Sequence, residues 1–360
     1  MVTMLDCIRR EPSLLLNILE RRMQTFEALW GIYNPTQVQE LCLIGSGSSH
    51  TAAETARFPA ERLSGVRVST VLPDDFLYSQ WVYAKDALYV FISQTGTSAE
   101  LLEAMELAQR RGLMTAAVSE KADTPAAKRA GAFIDMGCGH EEYGIRTIGY
   151  STAVMTLIML GFSLGQARGA LTEDQARAYA QQARDGIANI PAVIEATLHW
   201  MDNCRRKIMR SRFIAFTGMG ALYGVAQEGA VKLWEAPQYP SAGYDLDEGM
   251  HGPNFGYTDA DAVIVLNDGA PGSERGLDLA RYMKCEHENG YIFGVQTQDD
   301  KDLAFTPMGG LFHCLEFAAA VQVFMYRFAV DGGRDFSVLG IHRKMNSYFD
   351  AHKRKGENRP

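Results

Sequence analysis

Two groups of residues in this 360-residue chain could do chemistry. The first is acid–base. In Glu228-Gly-Ala-Val-Lys-Leu-Trp-Glu235 two carboxylates stand seven residues apart, which places them on one face of a helix. Nine residues further on comes Tyr244-Asp-Leu-Asp-Glu-Gly-Met-His-Gly-Pro253, where His251 lies between Gly249 and the stiff Gly252-Pro253 pair. A carboxylate with an imidazole is a common general acid–base set. Such a carboxylate can carry a proton between adjacent sugar carbons, and the histidine can open the ring. On spacing alone a blander alternative stands beside this: a solvated helix glutamate and a loop histidine without a role.

The second group is a pair of hydroxyl-rich turns, Gly45-Ser-Gly-Ser-Ser49 and Ser93-Gln-Thr-Gly-Thr-Ser98. Each follows an apolar run and precedes a helical pattern. Backbone N–H groups and a helix N-terminus make such a turn a natural phosphate site. Hydroxyls add donors without adding charge, and Gly47 and Gly96 let the backbone come close. Capping the following helix needs only one Ser per turn. Seven hydroxyls over the two turns therefore point to a phosphate monoester. The first turn is neither a dinucleotide fingerprint, since His50 takes the third glycine position, nor a Walker loop, since Gly-Lys-Ser/Thr is missing. No His pair has metal-ligand spacing, and His140-Glu-Glu142 is too little for a site. No metal or organic cofactor is expected.

Short strands and helices must position these groups. Apolar runs at 41–44, 66–71, 87–92, 115–118 and 132–135 alternate with helical patterns, which implies a parallel sheet with helices on both faces. Residues 11–30 predict a helix with Pro12 in its first turn. Residues 150–209 read as helical, with an N-cap at Thr172 and a break at Pro191. Then the pattern restarts. Phe213-Ile-Ala-Phe216 leads into Thr217-Gly-Met-Gly220, matching Leu41 to Gly47 at an offset of 173 residues, and Ala262 to Leu266 matches Ala87 to Phe91 at nearly the same offset. Two copies of one α/β unit are expected. In the second copy the turn corresponding to Ser93–Glu100 is Asn267-Asp-Gly-Ala-Pro-Gly-Ser-Glu274, a poor phosphate cradle. The expected division is an N-terminal helical segment at 1–38, α/β domains at 39–168 and 210–335, a helical linker at 169–209 and a tail at 336–360.

The net charge of −8 gives no electrostatic footprint for nucleic acid or anionic membrane. The longest apolar stretch, Ala153 to Leu164, is too short to span a bilayer. The N-terminus lacks a signal-peptide plan, and six cysteines are scattered singly, so a cytoplasmic, reduced protein is expected.

Together these motifs resemble the tandem sugar-isomerase (SIS) family, in particular the isomerase part of glucosamine-6-phosphate synthase and the fructosamine-6-phosphate deglycases. The resemblance runs from about Leu41 to the C-terminus and implies two doubly wound three-layer αβα domains of flavodoxin-like kind. It implies phosphate binding by Ser49, Ser93, Gln94, Thr95 and Ser98. It makes Glu235 the shuttle of a proton between C1 and C2, and it gives ring opening to His251, supplied from the neighbouring subunit of a homodimer. The family's loop motif ending in His-Gly-Pro is matched from Glu248 to Pro253, which includes Glu248 in the site. Lys344, nine residues after Asp335, is implied as a ring-opening or Schiff-base partner. Glu142-Tyr-Gly-Ile-Arg-Thr147 stands where the family has E-x-G-V-A-S, so Thr147 would hold a ligand hydroxyl, while Arg146 departs from the pattern.

Other departures bear on the reaction. Only about 40 residues precede the first strand, and no glutaminase domain is expected there. Asp245 and Asp247 replace small residues of the synthase loop; they could receive a cationic amine, or simply be a solvated turn. The expected activity is cleavage of a 6-phosphorylated ketoamine to an aldose 6-phosphate and a free amine. The alternatives are an amino-sugar-phosphate isomerase or deaminase, and a non-catalytic phosphosugar sensor.

Overall fold

The computed structural model describes residues 2–334 and Tyr348. It opens with a long helix, α1 (Met4–Ile32), that begins well before the expected start. Thr3 and Asp6 form a capping box at its N-terminus, and this fixes the first turn. Pro12 therefore lies inside the helix, with Cys7, Ile8, Leu15 and Leu19 buried on either side of it.

The first sheet contains β1 (Glu40–Ile44), β2 (Arg67–Val71), β3 (Ala87–Ile92), β4 (Met114–Ser119) and β5 (Ala132–Asp135), all parallel in the order β2-β1-β3-β4-β5. All six residues of β3 are buried, as a strand covered on both faces requires. The helices α2 (Ser48–Ser64), α3 (Ala99–Arg110) and the short α4 (Pro125–Arg129) link the strands. α3 and α4 cover the outer face with Leu101, Ala104, Met105 and Ala126, while α1, α2 and α5 (Ile148–Ala167) cover the inner one. α5 is long and apolar enough to cross a membrane, but its apolar window is wholly buried within the protein.

Helix α6 (Glu173–Ile208) joins the two sheets. Thr172 and Gln175 form its capping box, acidic Glu173 and Asp174 sit in the first turn, and Arg205, Arg206 and Lys207 sit in the last. The expected break at Pro191 does not occur. A proline inside a helix costs about 3 kcal/mol. Ile187, Ile190, Val193 and Ile194 are all buried around it, and each contributes about 1.5–3 kcal/mol. Packing therefore outweighs the missing hydrogen bond.

The second sheet holds β6 (Phe213–Gly218), β7 (Ser241–Asp245), β8 (Asp261–Asn267), β9 (Gly290–Gly294) and β10 (Leu303–Ala304), parallel in the order β7-β6-β8-β9-β10. It thus repeats the strand order of the first. α7 (Ala221–Glu235) and α9 (Cys314–Asp331) lie on its inner face, and α8 (Glu274–His287) lies on the outer face. β7, β10 and α9 were not anticipated from the sequence pattern. Each half follows the doubly wound plan that was expected.

The halves meet where α2 crosses α7. Gly224 makes this possible: a Cβ there would lie 2.3 Å from the Thr55 backbone nitrogen.

Candidate active site

In the first sheet the strand order reverses between β1 and β3, and ligands of doubly wound sheets bind in the crevice at such a point. The two hydroxyl-rich turns are the loops leaving these two strands, so pairing of β1 with β3 brings them side by side. Gly47 has φ +57° and Gly96 φ +63°, the left-handed region that glycine tolerates. The helix caps leave hydroxyls to spare. Neither Gly47 before α2 nor Ser98 before α3 makes a side-chain cap. The Ser93 hydroxyl accepts from the Gly96 N–H (3.1 Å) and keeps its own proton free to donate, and Thr95 bonds Thr97 at 2.9 Å. Gln94 lies against Gly149 of α5, and its buried amide nitrogen has no hydrogen-bond partner among the described residues. An unspent donor beside two spare hydroxyls suits an anion.

Gly96 offers a direct check on this turn. A Cβ would meet the Thr124 side chain at 2.6 Å, and φ is positive as well. Gly96→Ala should destabilise the protein by about 1–3 kcal/mol, read as a lowered denaturation midpoint.

The acid–base helix ends against this crevice. Lys232, on α7 between the two glutamates, is buried with its ammonium 3.3 Å from Glu228 and 2.6 Å from Glu235. The same ammonium donates to the Ser48 hydroxyl of the first turn at 2.9 Å. Thr51 of α2 donates to the far oxygen of Glu228 at 2.5 Å. Burial works against the Lys232 charge, but the two carboxylates outweigh it and hold its pKa above the usual lysine value. Burial pushes the Glu228 carboxyl up; Lys232 relieves part of this, and Glu235 adds a smaller push in the same direction as burial. Glu235 is the member of the three that reaches solvent, with its side chain 37% exposed. Lys232 carries no role in the sequence reading. Its spacing was the signal, because i+4 from Glu228 and i−3 from Glu235 put all three on one face.

The remaining expected residues are placed as follows. Ser49 stands in the first turn of α2. Thr147 is fully buried, and its hydroxyl donates to Glu141 at 3.0 Å rather than facing the crevice. Glu141 also accepts the N–H groups of Thr147, Ile148 and Gly149, so it caps α5 directly behind Gln94. Glu142, its neighbour in sequence, turns outward to Arg10 instead. His251 is exposed; its Nδ1–H donates to the Asp247 carbonyl at 2.9 Å, which leaves Nε2 free as an acceptor. Glu248 is also exposed, and no hydrogen bond or ion pair joins His251 to Glu235 among the described residues. Asp247 pairs with Arg275, and Asp245 accepts the N–H groups of Asp247 and Glu248. Lys344 and Asp335 lie outside the described residues. No group of His, Cys, Asp and Glu suited to a metal occurs among the described residues.

Comparison with known proteins bears on the same region. The family described as SIS domain matches residues 36–164. A glutamine–fructose-6-phosphate aminotransferase (isomerizing) from Zymomonas mobilis is 25% identical over 342 residues, which is 91% of this chain and 56% of that protein. The chain spans about half the length of the curated relatives it matches. The C-terminal domain of glucosamine-fructose-6-phosphate aminotransferase from Francisella tularensis superposes with a TM-score of 0.84 at 18% identity, covering 92% of this chain and 96% of that one. A glucosamine-6-phosphate deaminase from Thermotoga maritima superposes with a TM-score of 0.72 at 18% identity, covering 93% and 98%. At these identities the superpositions show a shared fold.

Proposed function

We propose, from the premise that residues 36–164 are a SIS domain of the kind found in the isomerase part of glucosamine-fructose-6-phosphate aminotransferase, that this protein is a phosphosugar enzyme moving a proton between C1 and C2. The supporting observation is the lysine bridge. One buried ammonium touches both Glu235 and Ser48, so a sugar whose phosphate sits in the first crevice has its other end toward Glu235.

The specific reaction we propose is deglycation of a 6-phosphorylated ketoamine. Ser49, Ser93, Gln94, Thr95 and Ser98 hold the phosphate. Glu235 takes a proton from C1, the electrons move to the C2 carbonyl, and an enaminol forms. Return of the proton to C2 gives an imine at C1, and water then adds there and expels the amine, leaving an aldose 6-phosphate. Lys232 acts as a positioning residue that holds the Glu235 carboxylate against the crevice. His251, exposed and with Nε2 free, assists ring opening in the site of a second copy of the chain, and Lys344 takes part beside it. A homodimer is therefore part of the proposal.

One observation favours a second reading. Asp245 and Asp247, the candidates for receiving an amine substituent, are already engaged by backbone N–H groups and by Arg275. An isomerase or deaminase of a simple amino-sugar phosphate would need no such pocket. Incubating the purified protein with fructosamine 6-phosphates, with glucosamine 6-phosphate, and with fructose 6-phosphate plus ammonia separates these readings. Release of amine from the first alone supports the deglycase. Turnover of the other two supports the isomerase or deaminase. If none of them turns over, the enzyme assignment as stated falls. In the active case Ser93→Ala with Ser98→Ala should raise KM roughly tenfold or more with little change in kcat, as expected for lost hydrogen bonds to a charged group. An unchanged KM would place the phosphate elsewhere.

A further inference from the structure

The second sheet has a crevice of its own. Its strand order reverses between β6 and β8 as that of the first sheet does between β1 and β3. The residues there differ in kind: Met219-Gly220 follows one strand and Asp268-Gly-Ala-Pro-Gly-Ser273 the other, with the hydroxyl of buried Ser273 alone where the first crevice has seven. A cavity of about 600 Å³ opens at this point, lined in part by Phe58, Pro59 and Arg62 of α2 and by Ala221, Leu311 and His313 of the second half.

Its walls are apolar. Phe58 remains 45% exposed, with the Arg57 guanidinium stacked on its ring at 4.3 Å. Its polar fittings carry both signs, Arg62 and His313 beside the carboxylates of Glu61 and Asp268. His313 is held in place by its Nδ1–H on the Gly310 carbonyl (2.7 Å), and its Nε2 is 3.1 Å from the Asp268 carboxylate. Burial would raise the Asp268 carboxyl, but His313 and the Ala270 N–H hold it below the usual range, so this carboxylate is already engaged at the cavity wall. Arg62 lines the same space and makes no ion pair with a described residue. Glu61 lines the cavity too, and its carboxylate is engaged by the Val68 N–H at 2.9 Å. The 15-residue helix α7 begins at Ala221 and directs its N-terminus here.

An apolar cavity with a spare guanidinium at the ligand-binding edge of a doubly wound sheet is a small-molecule site in chemistry as well as in position. We propose that this second crevice binds a small organic anion with an apolar body, its anionic group meeting Arg62 and the start of α7 and its body lying on Phe58, Pro59 and Leu311. The ligand is distinct from the sugar phosphate of the first crevice, because only the Ser273 hydroxyl stands where the first crevice has seven.

Calorimetric titration of the full chain with phenyl phosphate tests this, with inorganic phosphate as the control. Two binding events per chain are expected for phenyl phosphate and one for inorganic phosphate. The Ser93→Ala, Ser98→Ala variant should lose the first event only. Arg62→Ala should weaken the second at least tenfold and leave the first intact, and Leu311→Trp, which fills the cavity, should abolish it. A single phenyl phosphate per chain whose binding is unaffected by Arg62→Ala and Leu311→Trp overturns the proposal. So does a second event that survives Arg62→Ala, an exposed change that leaves the fold alone. Failure of the sugar-phosphate reading would instead remove the first event and spare the second.

Discussion

Glu235→Gln should lower kcat by about 10²- to 10⁴-fold on whichever substrate is turned over, with KM nearly unchanged. The amide keeps the shape and the hydrogen bond from Lys232 but cannot take a proton. Glu235 is the one carboxylate of its group that reaches solvent. Glu228 is enclosed, with Thr51 on one oxygen and Lys232 near the other. Single-turnover rates and substrate affinity measured on the variant separate loss of chemistry from loss of binding. If kcat stays within threefold of the parent, Glu235 is not the shuttle and the mechanism must be reassigned.

Stability should fall as pH rises from about 4.5 to about 8, because of one residue far from the crevice. Glu11 of α1 is fully buried, and neither of its oxygens makes a well-formed hydrogen bond. Burial pushes its pKa from 4.5 up to about 8; Ser151 and Gln322 relieve this only in part, and the charge of Glu141 adds to it. Between those two values the unfolded chain has released a proton that the folded chain keeps. The folded state therefore becomes relatively less stable with each rise in pH across the window. One pKa unit is worth about 1.4 kcal/mol, so the whole effect is at most roughly 5 kcal/mol. Glu11→Gln removes it. Urea midpoints measured from pH 5 to pH 9 should decline more steeply for the parent than for Glu11→Gln, with the variant ahead at pH 9. Parallel curves for the two proteins would show that Glu11 does not titrate as described.

Much of this fold is legible in the residues. β1, β3, β6 and β8 are central strands that are buried nearly throughout, and each is a short apolar run closing on a turn. β7 is different. Ser241-Ala-Gly-Tyr-Asp245 is neither apolar nor alternating; it pairs with the edge of β6 while its Ser241 and Gly243 are held against α7. β10 has two residues, too few to carry any pattern. Pro12 and Pro191 mislead for a shared reason: local preference predicts an end, and burial on both sides of the proline overrides it. Within the site, sequence singles out the turns and Glu235 through residue type. It does not reveal that Thr147 faces Glu141, because that depends on how α5 enters the core. It also leaves Asp247 looking free, since its partner Arg275 is 28 residues away in the chain.

The crossing of α2 and α7 has a consequence for how the molecule can be divided. Lys232 and Glu228 belong to one half by sequence, while Ser48 and Thr51, which complete their surroundings, belong to the other. A lone second half would carry a buried charge cluster with one wall stripped away. The two sheets look like interchangeable cassettes, yet a chimera that took either from a different chain would have to carry its neighbour's α2 or α7 face along with it. The unit of inheritance here is the seam rather than the sheet.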